Sequence, residues 1–491
     1  MHDFLLEEEN MTQEKYDVVI VGAGLAGFAA ADEAVDNNLQ TLLVEKGKTT
    51  GGTGNYVEGV FAADSELQKK DNAVLNKEDL LKEELTYSHY KADGKIWQKY
   101  IDNAGKNVSW LEDHGAVIGM VANLGSGART WHLFKGRGHD AIHNGLEPYA
   151  KKKGITILTL TRVTDLKQNA DHTYDVTLTN VVEKTTQVVT AKNVVLATGG
   201  YLNDQKLLES TPHQNPDNII PVNSGKNTGD GLRLAWKLGA KKYFTGMAMM
   251  FGGQLKDKTV PSFKLWGTAI WSSVCDQPQM WVNELGERFV DESAAVVNWA
   301  NEGNSMNRQD RVFCIFSQKI LDDFTDKSYP RSMKPFVPED RYPTLRDDIA
   351  KAEKEGRQYL HKAATLEELA QEIATPNLVA YVKHYNEMAA NGEDTDFHKP
   401  AKYLLPVDGK GPFYAIELGV GAYTTGDGLR VNINNEVLDT KGRPIAGLYA
   451  IGGDGSAVLY GDTYGVNVPG THAGYCIFSG RNAIKAIAAK E

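Results

Sequence analysis

The sequence predicts an α/β fold in which a dinucleotide-binding domain is interrupted by an inserted second domain. A β-branched run over residues 17–21 leads directly into glycines spaced G-x-G-x-x-G and then into an alanine-rich helical stretch. Two later apolar runs, over residues 193–200 and 447–453, also end in glycines. Between about residues 250 and 422 this pattern gives way to proline-broken segments, so the 491-residue chain is expected to hold two domains.

The first glycine cluster has the spacing of a pyrophosphate-binding turn between a strand and a helix. Gly22 permits the tight turn, Gly24 lets the backbone approach the phosphates, and Gly27 lets the helix pack closely on the strand. The positive end of that helix then favours the phosphate charge. The next apolar run ends at Glu45, 18 residues after Gly27, which is the distance that places an acid near a ribose.

The middle of the chain is predicted to be a separate capping domain. Prolines recur there, and a later helix start is marked by Thr365 and Glu368 in the capping-box spacing. We therefore predict a flexible leader over residues 1–15, a nucleotide-binding domain from residues 16–249 and 423–491, and a capping domain over residues 250–422.

Composition and charge narrow the function. Lys and Arg number 53 against 64 Asp and Glu, and this net charge of -11 disfavours a nucleic-acid-binding surface. The three cysteines are far apart, so neither a disulfide framework nor a metal site is expected. No apolar run reaches the length of a membrane span, and the N-terminus lacks the features of a signal peptide. A cytoplasmic protein without a membrane span is the expectation.

Motifs spread over nearly the whole chain carry a resemblance to a known family. They are residues 22–27, Glu45, residues 51–52, 197–200, 228–231, 282–292, 394–397 and 447–453. Together they resemble the fumarate reductase/succinate dehydrogenase flavoprotein superfamily, which includes the soluble fumarate reductases and the 3-ketosteroid dehydrogenases. The resemblance implies a Rossmann-like FAD-binding domain interrupted by an α+β capping domain that closes over the substrate.

The resemblance also implies which residues bind FAD. They are Gly22, Gly24, Leu25, Ala26, Gly27, Glu45, Lys46, Gly51, Gly52, Thr53, Gly54, Asn55, Val163, Ala197, Thr198, Gly199, Asp230, Gly453, Asp454, Gly470 and His472. Covalently flavinylated members carry a histidine in the loop that here spans residues 51–59, and this loop has none, so non-covalent FAD is expected. No haem motif or second nicotinamide-type fingerprint is present, which implies an external electron donor: a separate reductase, reduced flavin or NADH.

The chain departs from the soluble fumarate reductases at their substrate-binding positions. Val296 and Val468 stand where the family has arginines, and residues 249–252 and 421–424 replace its histidine motifs. Removing the partner of a buried charge costs about 3 to 5 kcal/mol, so a dicarboxylate would bind poorly here. Fumarate is therefore not the expected substrate.

Aromatic and hydroxyl side chains replace the missing charges. Trp266, Trp271, Trp281 and Trp299 are expected to be mostly core residues. Three tyrosines are candidates for the catalytic phenol: Tyr464, Tyr460 and Tyr423, with Tyr464 preferred because it leads into the helix expected to face the flavin.

The predicted function is hydride transfer between flavin N5 and an activated carbon–carbon double bond. The substrate is expected to be an apolar or aromatic unsaturated small molecule. The sequence leaves two alternatives open: a ketosteroid-type dehydrogenase, and a flavoprotein electron-transfer or redox-sensing subunit.

Overall fold

The protein is described from a computed structural model covering residues 14–73, 75–212, 215–275, 277–326 and 339–491, with the side chains of residues 339–341 left aside. Most of the predicted leader lies outside the described residues. Lys15, the last residue of the predicted leader, is the first residue of the first strand. The consecutive Val18, Val19 and Ile20 of that strand are all fully buried, as expected for a strand covered on both faces.

The strands of the described residues are β1 (Lys15–Val21), β2 (Thr41–Val44), β3 (Gly59–Phe61), β4 (Ile118–Ala122), β5 (Trp131–Phe134), β6 (Thr156–Leu158), β7 (Thr161–Gln168), β8 (Tyr174–Asn180), β9 (Thr186–Leu196), β10 (Ile219–Pro221), β11 (Ala248–Leu255), β12 (Met280–Asn283), β13 (Val312–Ser317), β14 (Leu360–Ala363), β15 (Phe413–Thr425), β16 (Glu436–Leu438) and β17 (Pro444–Ala450).

The helices of the same residues are α1 (Leu25–Asp36), α2 (Glu66–Lys70), α3 (Lys77–Tyr87), α4 (Gly94–Asp113), α5 (Arg137–Asp140), α6 (Glu147–Lys152), α7 (Gln205–Glu209), α8 (Asp230–Lys237), α9 (Ser262–Leu265), α10 (Ala269–Val274), α11 (Ala294–Val297), α12 (Trp299–Met306), α13 (Gln318–Thr325), α14 (Leu345–Lys354), α15 (Leu366–Glu372), α16 (Leu378–Asn391), α17 (Ala457–Tyr460) and α18 (Thr471–Ala488).

The largest sheet has a parallel centre in the order β17-β9-β1-β2-β6. Strand β16 pairs antiparallel with β17 at one edge, and the antiparallel hairpin β7–β8 joins the first half of β9. Helices α1 and α18 pack against each other beside this sheet. Because the central strands are parallel, their carboxyl ends lie along one edge, which is where open α/β sheets bind ligands.

A second sheet is organised around the long strand β15. Strands β10, β11, β13 and β14 each pair with β15, and β12 pairs with β13. Both predicted domain boundaries fall within strands of this sheet, one in β11 and one in β15. Strand β10 also joins it, although its residues were assigned to the nucleotide-binding domain. The α/β fold is confirmed, and the exact domain division stays a prediction.

Two local features of the capping segment are clearly defined in the structure, and the first of them was predicted from the sequence. Thr365 and Glu368 form a complete capping box at the start of α15. Arg288 donates to Glu292 at 2.8 Å and also to Asp394 at 2.9 Å, and all three side chains are buried. Lys399 lies 3.2 Å from Glu292, so the charges of this cluster are paired within the framework of the segment.

Among the described residues, no helix combines the length and apolarity that a bilayer crossing requires. The same residues contain no cluster of three or more His, Cys, Asp or Glu side chains arranged to hold a metal ion.

Candidate active site

A long cleft runs along the carboxyl ends of β1, β2, β9 and β17. It contains about 1560 Å³ of space free of protein atoms, part of it open to solvent. Its lining extends from Gly24 at the end of β1 to Tyr423 of the second sheet and His472 of α18, so it can hold an extended ligand. The predicted site residues that line it are Gly22, Gly24, Leu25, Ala26, Glu45, Lys46, Gly52, Thr53, Gly54, Val163, Ala197, Thr198, Gly199, Asp230, Tyr423, Gly453, Tyr464, Gly470 and His472.

The glycine turn at the end of β1 has two different spatial constraints. A side chain at Gly27 would begin 1.9 Å from the carbonyl oxygen of Gly22, so only glycine lets α1 pack this close to the turn. A side chain at Gly24 would meet protein atoms only at 3.8 Å, and Gly24 faces the cleft. The space beside Gly24 is therefore kept open on the ligand side, as a pyrophosphate requires.

Glu45 is held in the cleft by backbone donors from two sides. Its Oε2 accepts from the backbone N–H of Ala23 at 3.1 Å, and its Oε1 accepts from that of Gly47 at 2.7 Å. Lys226 Nζ lies 3.5 Å from the same Oε1. An anchored carboxylate at the end of the second parallel strand is suited to accept from sugar hydroxyls.

A paired group of charges surrounds Asp230 in the same part of the cleft. Lys46 Nζ lies 2.9 Å from one carboxylate oxygen of Asp230, and Arg162 donates to the other at 2.6 Å. Burial alone would raise the pKa of Asp230, but these two cations outweigh it and lower that pKa below its ordinary value. We call this group, with Glu45 and Lys226, the charged part of the cleft.

Five predicted site residues lie behind the cleft surface rather than on it. Gly27 packs under the turn, and Gly51 bridges to Gly24 through a backbone contact. Asn55 donates to the carbonyl of Thr50 at 3.2 Å and so braces the loop. The remaining two are Asp454 and Tyr460.

Asp454 joins two glycine-rich strand ends. It accepts from the backbone N–H of Thr198 at 2.6 Å and from that of Gly200 at 2.8 Å, and it is fully buried. Burial raises the pKa of its carboxyl in spite of these donors. The geometry thus gives Asp454 a supporting contact within the protein, while its predicted contact with the cofactor stays a prediction.

Helix α18 begins at the cleft with a buried, unpaired histidine. Gly470 caps the helix in a left-handed conformation, with φ of 87°, and the first backbone N–H groups of an α-helix have no partner within it. His472 lines the cleft in this first turn, and its Nδ1 has no hydrogen-bond partner among the described residues. Burial lowers its pKa to about 4, so the ring is neutral at pH 7. These donors suit a ligand that carries or develops negative charge.

The three candidate tyrosines occupy different places. Tyr464 lines the cleft, and its ring lies edge-on to Tyr460 with centroids 5.2 Å apart. The Tyr460 hydroxyl instead donates to Thr471 at 3.2 Å, beneath the cleft surface. Tyr423 lines the cleft and stacks on Phe251 at 4.3 Å. The fold thus brings Tyr464 and Tyr423 together at one cleft, and Tyr460 does not reach it.

An apolar surface formed largely by aromatic rings lines the cleft near these tyrosines. It contains Leu124, Trp131, Met249, Phe251, Trp299, Tyr423, Tyr464, Val466 and Pro469, which we call the aromatic part of the cleft. Trp266 stacks behind it, 5.9 Å from Phe251. Trp271 and Trp281 are buried, as expected for core residues, whereas Trp299 faces the cleft.

Sequence reasoning missed several cleft residues. These are Glu58, Arg162, Ser224, Lys226, Asn227, Phe251, Gly452 and Cys476. Gly452 and Glu58 lie within or beside motifs that the resemblance already marked. Phe251 belongs to residues 249–252, which the resemblance marked as a substrate-binding stretch, but its place beside Tyr423 follows from the pairing of β11 with β15.

The residues that line the cleft fit FAD. The open space at Gly24, the anchored Glu45 and the unpartnered Nδ1 of His472 supply what a pyrophosphate, a ribose and a polar ring edge require. Residues 17–464 match the family described as FAD binding domain.

The chain belongs to the FAD binding domain family. This flavoprotein is 44% identical over 474 residues to a vinyl phenol reductase of Lactiplantibacillus plantarum, with 96% of each chain covered. It is 27% identical over 474 residues to a fumarate reductase (cytochrome) of Shewanella frigidimarina, covering 93% of this chain and 74% of that protein. It is an oxidoreductase of a family whose relatives reduce carbon–carbon double bonds.

Solved structures share the fold of this flavoprotein. The 3-ketosteroid delta1-dehydrogenase of Sterolibacterium denitrificans matches with a TM-score of 0.77 at 20% identity, covering 97% of this chain and 100% of that chain. The open conformation of a flavocytochrome c3 fumarate reductase matches with a TM-score of 0.71 at 24% identity, covering 97% and 78%. At these identities the likeness establishes the fold alone.

Proposed function

We propose that the protein reduces the vinyl double bond of a hydroxylated aromatic substrate such as 4-vinylphenol, with non-covalently bound FAD. The observation that carries this proposal is the aromatic part of the cleft. Phe251 and Tyr423 lie nearly parallel, with an interplanar angle of 16°, in the wall to which Trp299 also contributes. Such a wall favours a flat apolar ring over a charged acid.

The charges of the cleft support an uncharged substrate. The cleft-lining cations of the described residues are Lys46, Arg162 and Lys226, and each already lies beside Asp230 or Glu45. The aromatic part contributes no cation of its own, and Val468 is buried with 1% of its surface exposed. A dicarboxylate bound in this part would lose its water without gaining an ionic partner, which is costly.

The vinyl phenol reductase of Lactiplantibacillus plantarum gives independent support. The aligned region covers 96% of both chains, so this region includes the segments that form both parts of the cleft. The fumarate reductase of Shewanella frigidimarina shares only 27% identity, and the two valines at positions 296 and 468 distinguish this chain from the pattern of that family.

FAD, when bound, supplies the hydride that such a reduction requires. The chain's own residues then have to orient the substrate, exclude water and provide hydrogen bonds. We assign the phenol of Tyr464 to the substrate hydroxyl or to charge developing on it, with Tyr423, which also lines the cleft, as the alternative. Burial raises the pKa of Tyr464, so its hydroxyl keeps its proton and acts as a hydrogen-bond donor.

The remaining parts of the proposal concern FAD attachment, electron supply and cellular location. Because residues 51–59 contain no histidine, FAD should leave the protein when it is precipitated with acid. Flavin that stays with the pellet would contradict this. We further propose an external electron donor, which is a separate reductase, reduced flavin or NADH, and a cytoplasmic location.

The test is reoxidation of the chemically reduced protein under anaerobic conditions. 4-Vinylphenol should reoxidise the flavin rapidly, and millimolar fumarate should not. A separate assay mixes the oxidised protein with a 3-ketosteroid that lacks the ring double bond, because oxidation of this steroid would reduce the flavin and favour the dehydrogenase alternative. Fast reoxidation by fumarate would overturn the proposal. A flavin that none of these alkenes reoxidises would overturn it as well.

A further inference from the structure

The proposed reduction needs a proton as well as a hydride. Conversion of CH2=CH–Ar–OH to CH3–CH2–Ar–OH adds one of each, and an acid beside the reacting carbon lowers the barrier to this step. That acid must hold its proton at neutral pH and yet release it more readily than an ordinary phenol does. Four titratable groups that line the cleft near its aromatic part, Tyr464, Cys476, His472 and Glu58, differ in how well they meet this requirement.

Three of the groups there fit the requirement poorly. Burial raises the pKa of Tyr464, which makes its phenol a weaker acid than usual. Burial also raises the pKa of Cys476 to about 12. The pKa of His472 falls to about 4, so its ring carries no extra proton at pH 7. Each remains suited to hydrogen bonding, and none is matched to proton donation.

Glu58 lines the same cleft and has a fixed backbone. Its carbonyl accepts from the backbone N–H of Phe134 at 2.8 Å, which joins it to the end of β5. Three residues later, the N–H of Phe61 donates to the carbonyl of Gly470 at 2.8 Å, at the cap of α18. Glu58 therefore lies between β5 and the start of α18, close enough to Tyr464 for the two side chains to interact electrostatically.

The surroundings of Glu58 shift its carboxyl towards the protonated form. Burial raises its pKa, and the positive charge of Arg137 on α5 opposes that rise only in part. Tyr464 precedes α18, and neutral His472 follows in its first turn. Glu84 on α3 also interacts with Tyr464, and burial raises the pKa of Glu84 to about 8. Among these groups, Arg137 supplies the positive charge that lowers the pKa of Glu58.

We propose that Glu58 is the general acid of this reduction. The O–H bond of its carboxyl breaks and a C–H bond forms at one carbon of the double bond, while the hydride forms the C–H bond at the other. The π bond is lost, the reduced flavin gives up two electrons, and the Glu58 carboxylate regains its proton from solvent. This inference rests on the proposed function for the identity of the substrate, but any alkene reduced in this cleft requires the same proton.

The test replaces Glu58 with an isosteric group that has no acidic proton. In Glu58→Gln, the rate of flavin reoxidation by 4-vinylphenol should fall by about 100-fold or more, with FAD content unchanged. The wild-type rate should decline as pH rises through the Glu58 pKa, because the protonated form is the active one, and this decline should vanish in the variant. Glu66→Gln is the matched control, since Glu66 is an exposed residue paired with Lys69 on α2.

A second measurement does not depend on turnover. Infrared difference spectra between low and high pH should contain the carbonyl band of a protonated carboxyl that is present in wild type and Glu66→Gln and missing in Glu58→Gln. A wild-type rate and pH profile in Glu58→Gln, or an unchanged carboxyl band, would overturn the assignment. If wild type reduces another alkene but no vinyl phenol, the proposed substrate is wrong, and the same variants tested on that alkene still decide the role of Glu58.

Discussion

The two parts of the cleft solve different binding problems. In the charged part, Asp230 lies between Lys46 and Arg162, and Glu45 accepts from two backbone N–H groups. In the aromatic part, Phe251 and Tyr423 stack on each other, and no side chain contributes a cation. One part is built from paired charges and strand ends, and the other from rings brought together by the second sheet.

On the proposed function, the charged part binds the cofactor and the aromatic part selects the substrate. The strand-end glycines and Glu45 meet requirements common to dinucleotides, so this part can stay the same when the substrate changes. The resemblance places Val468 where the soluble fumarate reductases have a substrate-binding arginine, whereas the strand-end glycines follow the pattern of the family. Substitutions in the charged part should therefore alter FAD binding, and substitutions in the aromatic part should alter the kinetics of substrate reduction.

The largest effect is expected at the glycine turn. Gly24→Val should abolish FAD binding and leave the apoprotein folded, because its side chain enters open space on the ligand side. Gly27→Ala should destabilise the fold itself, since the added carbon would begin 1.9 Å from the Gly22 carbonyl oxygen. FAD absorbance per protein and circular dichroism distinguish these results. A Gly24→Val protein that retains its flavin would refute the assignment of the pyrophosphate site.

The next effect concerns the phenol of the aromatic part. Tyr464→Phe keeps the ring and removes the hydroxyl, and the rate of substrate reduction should fall by about 100-fold to 1,000-fold at unchanged FAD content. Tyr460→Phe is the matched control because its hydroxyl donates to Thr471 beneath the cleft surface. Single-turnover kinetics measure both variants. Equal rates in Tyr464→Phe and wild type would move the role to Tyr423.

A smaller effect is expected from the stacked wall. Phe251→Leu removes a ring that lines the cleft, and stacking of such a ring on an aromatic substrate is worth about 0.5 to 1.5 kcal/mol beyond the buried area. KM for 4-vinylphenol should therefore rise roughly 2-fold to 13-fold, with little change in FAD affinity. Phe263→Leu is the control, since Phe263 is 62% exposed. A loss of FAD in Phe251→Leu would show that the two parts are not separable.

The smallest effect is a pH dependence of stability from the charged part. The pKa of Asp230 is lower in the folded protein than in the unfolded chain, so its contribution is present above the unfolded pKa and is lost as pH falls through the folded value. Asp230→Asn should remove this contribution, so that the melting temperature falls less steeply between about pH 5 and pH 3 than in wild type. Thermal denaturation of both proteins across this range is the measurement; identical slopes would contradict the ion-pair assignment.

The sequence by itself determined the fold class and the cofactor, together with much of the charged part. Gly22, Gly24, Gly27 and Glu45 sit in one strand–turn–helix–strand segment, and the carboxyl ends of parallel strands necessarily meet at one edge. The valines at positions 296 and 468 argue against fumarate through the resemblance to the soluble fumarate reductases, which have arginines there. These are local patterns with fixed spacing, which is why they can be recognised along the chain.

Only the tertiary structure decided which aromatic and acidic side chains share the cleft. Phe251 and Tyr423 are 172 positions apart and meet because β11 and β15 pair. Tyr464 and Tyr460 are neighbours in sequence, yet only Tyr464 reaches the cleft, and Glu58 approaches Tyr464 through the contact of β3 with the cap of α18. Burial and the pKa shifts that follow from it depend on contacts between distant segments, so spacing along the chain does not encode them.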